Sequence, residues 1–153
     1  MRLSLLALAL LTTAAVPRAQ VYQGLVELGG SASFRSTEGA TVLRFAPAVG
    51  YFFSDALEAG VRLDYLKRED QDGDGVLFLF GAYHFGRRGA TTVPFLEANP
   101  GTSITDDSDL AFGGRGGAKV FFLPGGALTA NGFLTTTGDR TTVGAEAGVS
   151  IFF

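Results

Sequence analysis

The sequence predicts an all-β chain, an eight-stranded antiparallel up-and-down transmembrane β-barrel with a plugged polar lumen. Three observations predict it. First, hydrophobic residues make up 46% of the 153 residues, with 22 Gly and 14 Phe, yet beyond residue 19 no apolar run is long enough to cross a bilayer as a helix. Second, the rest of the chain divides into segments of ten to fourteen residues with strand character, separated by turn residues. Third, an aromatic cluster closes every second segment. A closed barrel is the remaining way for such a chain to satisfy every backbone group inside a membrane.

The chain begins with a segment that reads as an export signal. "MRLSLLALALLTTAAVPRAQ" carries a basic residue at Arg2, an apolar run from Leu3 to Leu11, then small residues. Residues 1–19 are expected to be the signal peptide, cleaved after Ala15 or after Ala19, and residues 20–153 the barrel domain. Removing Arg2 and Arg18 moves the net charge from −3 to about −5, which argues against nucleic acid as a partner. The absence of cysteine excludes a disulfide scaffold and a Cys-anchored lipoprotein.

Eight strands follow, expected at Leu25–Arg35, Thr41–Phe53, Leu57–Lys67, Val76–Phe85, Val93–Thr102, Leu110–Leu123, Ala127–Thr137 and Thr141–Phe153. A tilted strand needs about 9–11 residues to cross a bilayer, so the lengths fit. The connections alternate. The first, third, fifth and seventh hold nine acidic residues, Glu38, Glu69, Asp70, Asp72, Asp74, Asp106, Asp107, Asp109 and Asp139. The second, fourth and sixth ("SDA", "GRRGATT", "PGG") carry little negative charge. The acidic set is expected outside the cell and the other set in the periplasm.

"YFF", "AYHF", "VFF" and "IFF" end the four even-numbered strands, so they are expected at one membrane face. Rings at headgroup level anchor a barrel, and Tyr51, Phe53, Phe85, Phe122 and Phe153 are assigned to a periplasmic aromatic girdle.

Alternation separates the two faces of a strand. In the last strand Val143, Ala145, Ala147, Val149, Ile151 and Phe153 oppose Thr142, Gly144, Glu146, Gly148, Ser150 and Phe152. In the third, Leu57, Ala59, Val61, Leu63 and Tyr65 oppose Glu58, Gly60, Arg62 and Asp64. The polar faces mix glycine with isolated charges of both signs: Glu27, Glu58, Asp64, Glu97 and Glu146 against Arg44, Arg62, Arg115 and Lys119. An eight-stranded barrel has an interior just wide enough for side chains, so these charges are expected to pair inside it. "VLFLFGAYHF" is apolar on both faces, which leaves the phase of the fourth strand open, and the fifth is open too. A soluble lipocalin-like carrier with the faces inverted is the alternative fold. It conflicts with the sparse charge on what would be its outer face.

These residues resemble a known family. "PAVGYFFSDALEAGVRLDYL" resembles the Pro-x-x-Gly-Tyr-Phe, short turn, Leu-x-x-Gly hairpin of small bacterial outer-membrane barrels, similar to the OmpA transmembrane domain and OmpX. "VPFLEANPG" and "GGAKVFFLPGGALTANG" are similar to their later hairpins. OmpA differs in carrying a peptidoglycan-binding domain after its barrel, and OmpX-like adhesins differ in their longer outer loops. The resemblance implies the outer membrane of a Gram-negative bacterium. It implies lipid, lipopolysaccharide and the barrel assembly machinery as partners, and a terminal aromatic, Phe153, that the machinery reads.

Candidate chemistry is thin. Asp70, Asp72 and Asp74 before Gly75 resemble the start of a calcium loop, but Gly81 stands where the twelfth-position Glu belongs, so the site is at most a weak one. His84, the single histidine, lies at the periplasmic end of its strand, away from where a barrel lipase acts, and is read as a girdle residue. "GGRGG" around Arg115 lacks the helix and Lys-Ser/Thr of a phosphate loop. The expectation is a monomer without cofactor or catalysis, in a structural or surface-interaction role. The alternatives are a narrow pore for small solutes or ions, a lipid-modifying barrel enzyme, or the soluble carrier.

Overall fold

The structure, a computed structural model, describes residues 21–37, 40–68, 73–86, 89–105 and 109–153, with the backbone alone for 34–37, 40–42 and 68. The segment read as a signal peptide lies outside the described residues. Eight strands form one closed antiparallel barrel in chain order. They are β1 (Val26–Thr37), β2 (Ala40–Phe52), β3 (Leu57–Arg68), β4 (Asp74–His84), β5 (Thr92–Ser103), β6 (Leu110–Leu123), β7 (Gly126–Thr137) and β8 (Arg140–Phe152). Each lies within two residues of its expected bounds, because the turn residues between strands are local signals. At the β2–β3 turn the Ser54 hydroxyl accepts from the Leu57 and Ala56 amides at 3.0 and 3.2 Å.

Closure runs from Glu27↔Phe152 to Ala32↔Ala147 between β1 and β8. The barrel therefore has no free edge at the end where Val26 meets Phe153. Proline leaves its mark on the ladders. The β2–β3 pairing skips from Phe45↔Tyr65 to Ala48↔Arg62 around Pro47, and β4–β5 skips from Phe78↔Gly101 to Gly81↔Ala98 around Pro100. Proline has no N–H to give to such a rung.

The pleat sorts side chains as the period of two demands. Leu28, Phe45, Val61, Leu79, Leu96, Phe112, Leu134 and Val149 all point outward and are 45% or more exposed, so every strand offers large apolar side chains to its surroundings. Charged residues occupy the interior instead. This is the reverse of a soluble carrier barrel, and it removes the lipocalin-like alternative.

The structure also fixes the two open phases. Phe78, Phe80, Ala82 and His84 of β4 point inward, as do Val93, Phe95, Glu97 and Asn99 of β5. His84 is thus not a girdle residue. It is 1% exposed inside the barrel, while its neighbours Tyr83 and Phe85 are 48% and 55% exposed outside. The reason lies in strand phase: the outward positions on either side of it are both aromatic, and alternation forces the middle residue in.

Candidate functional site

The barrel interior gathers the charged side chains that the sequence singles out. Glu27 comes from β1, Arg44 from β2, Glu58, Arg62 and Asp64 from β3, Glu97 from β5, Arg115 and Lys119 from β6, and Glu146 from β8. All but Arg44 are buried, and the Arg44 side chain is only 12% exposed. They form two groups. In the upper one, Arg115 bonds Glu146 and reaches both Asp64 carboxylate oxygens at 3.2 Å. Arg44 bonds the same Asp64 and lies 3.4 Å from Glu146. Arg62 is bidentate on Glu97, through one close bond and one of 2.8 Å, the fork geometry that suits a guanidinium.

The lower group is centred on Lys119. Its ammonium bonds Glu27 and lies 3.4 Å from Glu58. Ser150 donates to the other Glu27 oxygen at 2.6 Å. His84 Nε2 pairs with Glu58 Oε2 at 2.8 Å, a partner that no sequence signal announced. Glycine opens space at two points of close approach. A Cβ at Gly50 would collide with the Glu58 carboxylate, and one at Gly144 would collide with the Phe133 ring.

Aromatic rings share this interior, although alternation in the sequence sets only Phe152 of them on a polar face. Arg44 lies 3.9 Å over the Phe133 ring and Arg62 4.8 Å over Phe80. Lys119 Nζ lies 5.5 Å from the Phe95 centroid and 5.6 Å from that of Phe152. Cations desolvated in this way gain from the negative ring face. Below Lys119, at the end where the chain reaches Phe153, Val21, Leu25, Phe52, Val93, Phe121, Ala127 and Phe152 pack into one buried apolar cluster. Gly24, at φ 95°, turns the chain so that Val21 and Leu25 both reach it, and the Gly24 amide donates to the Phe52 carbonyl at 2.8 Å.

The residues assigned to the girdle all point outward at that same end. Tyr51, Phe53, Phe85, Phe122 and Phe153 are 42–68% exposed. Tyr51 meets Phe53 edge-on at 5.0 Å, and Tyr83 meets Phe85 at 4.8 Å. Of the calcium candidates, Asp70 and Asp72 lie outside the described residues and Asp74 is exposed at the start of β4. Among the described residues no group of three or more His, Cys, Asp or Glu side chains could hold a metal. Arg115, at the centre of "GGRGG", sits mid-strand and is engaged by carboxylates.

With a charged interior inside an apolar wall, the architecture can be compared with solved structures. The fold is that of the eight-stranded transmembrane barrels. The N-terminal β-barrel domain of Pseudomonas aeruginosa OprF is similar, at TM-score 0.65 and 22% identity, over 86% of this chain and 99% of that one. The outer membrane protein OprG from Pseudomonas aeruginosa matches at 0.60 and 10%, over 86% and 97%. Neisserial surface protein A matches at 0.57 and 17%, over 84% and 96%. By sequence, the chain matches no family model and no curated protein.

Proposed function

We propose that this chain is a monomeric integral protein of a Gram-negative outer membrane, with a plugged lumen and a structural or surface-interaction role rather than a catalytic one. The observation that carries the reading is the double filling of the interior. Paired charges occupy its middle and an apolar cluster occupies its terminal end. A conducting path would have to separate buried ion pairs and then pass Phe52, Phe121 and Phe152. Residues 1–19 act as the export signal in this reading, and no cofactor takes part. The similarity in fold to barrels described as outer-membrane or surface proteins supports the location. Against catalysis, His84 is held by Glu58 inside the terminal end of the barrel.

Tyr51, Phe53, Phe85, Phe122 and Phe153 then sit at the periplasmic headgroups, with lipid and lipopolysaccharide as the partners of the wall. Purified protein in planar bilayers should show no steady conductance, and its gel mobility should change on boiling. Stable single-channel steps would replace this reading with the narrow pore. Phe153 is proposed as the residue that the assembly machinery reads. Its deletion should lower outer-membrane levels in cells far more than it lowers stability in detergent, where one side chain is worth at most about 1.5–3 kcal/mol. Equal losses in the two assays would reduce Phe153 to packing alone.

A further inference from the structure

The two groups of lumen charges differ in their balance. In the upper one Asp64, Glu97 and Glu146 face Arg44, Arg62 and Arg115, and each pairs with an opposite charge. In the lower one the carboxylates of Glu27 and Glu58 share a single ammonium, that of Lys119. The other side chains around it bring no charge. Ser150 on β8 and Thr129 on β7 are hydroxyls, and Phe52 on β2 and Phe95 on β5 are rings. Asp55, at the β2–β3 turn, is exposed and engages the Gln23 amide. Among the described side chains one negative charge is therefore left over, where Glu27, Glu58 and Lys119 are only 4–6% exposed. An uncompensated buried charge is strongly unfavourable.

His84 stands where the surplus lies. Its Nε2 is 2.8 Å from Glu58 Oε2, the same oxygen that Lys119 reaches at 3.4 Å. Its buried ring lies 5.0 Å from Phe52 and is stacked at 5.9 Å on Phe95, at the border with the apolar cluster. We propose that Glu58 and His84 form a proton-binding site, which takes one proton from water and so neutralises the lower group. With that proton on His84, two carboxylates face two cations. With it on Glu58, one carboxylate faces one ammonium. Either way the charges balance, so the proton belongs to the pair and not to one residue. Without it, a net negative charge is left against Phe52. Histidine is the side chain whose charge changes between about pH 5 and 8. The site therefore answers to the pH of its surroundings, and the border between the charged and apolar regions is tighter in acid than in alkali.

Urea titrations of the full chain in detergent at a series of pH values test this. The chain has one histidine, so no second imidazole contributes. A folded chain that keeps a proton which the unfolded chain has released loses stability as pH rises. Between about pH 6.5 and 8 the folding constant should fall by up to about tenfold per unit, the limit for one proton. Glu58→Gln removes the surplus carboxylate at nearly constant size and should abolish that slope. Where Glu58→Gln fails to fold, His84→Gln removes the imidazole and should abolish it too. A parent chain whose stability is constant over this range would overturn the site. So would a slope that persists in either variant, because the proton would then not be balancing Glu58 through His84.

Discussion

Two neighbouring regions of one lumen are held by opposite means. At the terminal end Phe52, Phe121 and Phe152 pack with Val21, Leu25, Val93 and Ala127, and their contribution depends on area and volume. Two residues further along the same strands, Glu27, Lys119 and Ser150 are held by partner and by geometry. The contrast teaches that burial in this barrel has two tolerances. The apolar cluster should accept a change of shape, and the charged region should accept loss of a whole pair but not of half of one.

The largest effect is expected where a buried charge loses its partner. Glu146→Ala leaves Arg115 without one carboxylate and Arg44 without its second, and should cost about 3–5 kcal/mol in urea titrations of refolded protein. A change within about 0.5 kcal/mol would mean that Glu146 is solvated and that the charged region is not a buried network.

One residue along the same strand, Ala147 faces outward. Ala147→Arg should cost about 2–4 kcal/mol if it lies near the bilayer midplane. Measured in lipid vesicles, a neutral result would move β8 out of the hydrocarbon layer.

A milder change is expected in the apolar cluster. Phe52 is fully buried, yet Phe52→Met keeps most of the volume and should cost about 1.5 kcal/mol or less. A loss as large as that of Glu146→Ala would erase the distinction between the regions.

The smallest net effect should come from removing a complete pair. Arg62→Met combined with Glu97→Leu deletes both members of a bidentate bridge and should be near neutral, although each single change is costly. A double-mutant cycle reads the difference. Strict additivity of the two single losses would show that Arg62 and Glu97 act independently.

Much of this architecture is written locally. Strand lengths and turns come from residues within a few positions of each other, and alternation is legible wherever one face is charged. Glu58, Arg62 and Asp64 mark the inner face of β3 against Leu57, Val61 and Tyr65 with no need of a partner strand. Leu77, Phe78, Leu79 and Phe80 carry no such mark, because this barrel buries phenylalanine as well as charge, so period-two reading fails in β4.

The aromatic strand ends show both outcomes at once. Tyr51-Phe52-Phe53, Tyr83-His84-Phe85, Val120-Phe121-Phe122 and Ile151-Phe152-Phe153 each run out, in, out. That these clusters close the even strands is legible in the local sequence. Only closure of the barrel decided that the four middle side chains converge. Phe52 lies 5.0 Å from His84 and 6.3 Å from Phe152, and Phe121 lies 5.1 Å from Phe152. The choice of ion-pair partners was settled in the same way. Arg115 meets Asp64 across 51 residues and Lys119 meets Glu27 across 92. No local pattern encodes which carboxylate a guanidinium reaches across a lumen. That depends on strand register and on the space left by the opposite wall, and both come into being only when β1 pairs with β8.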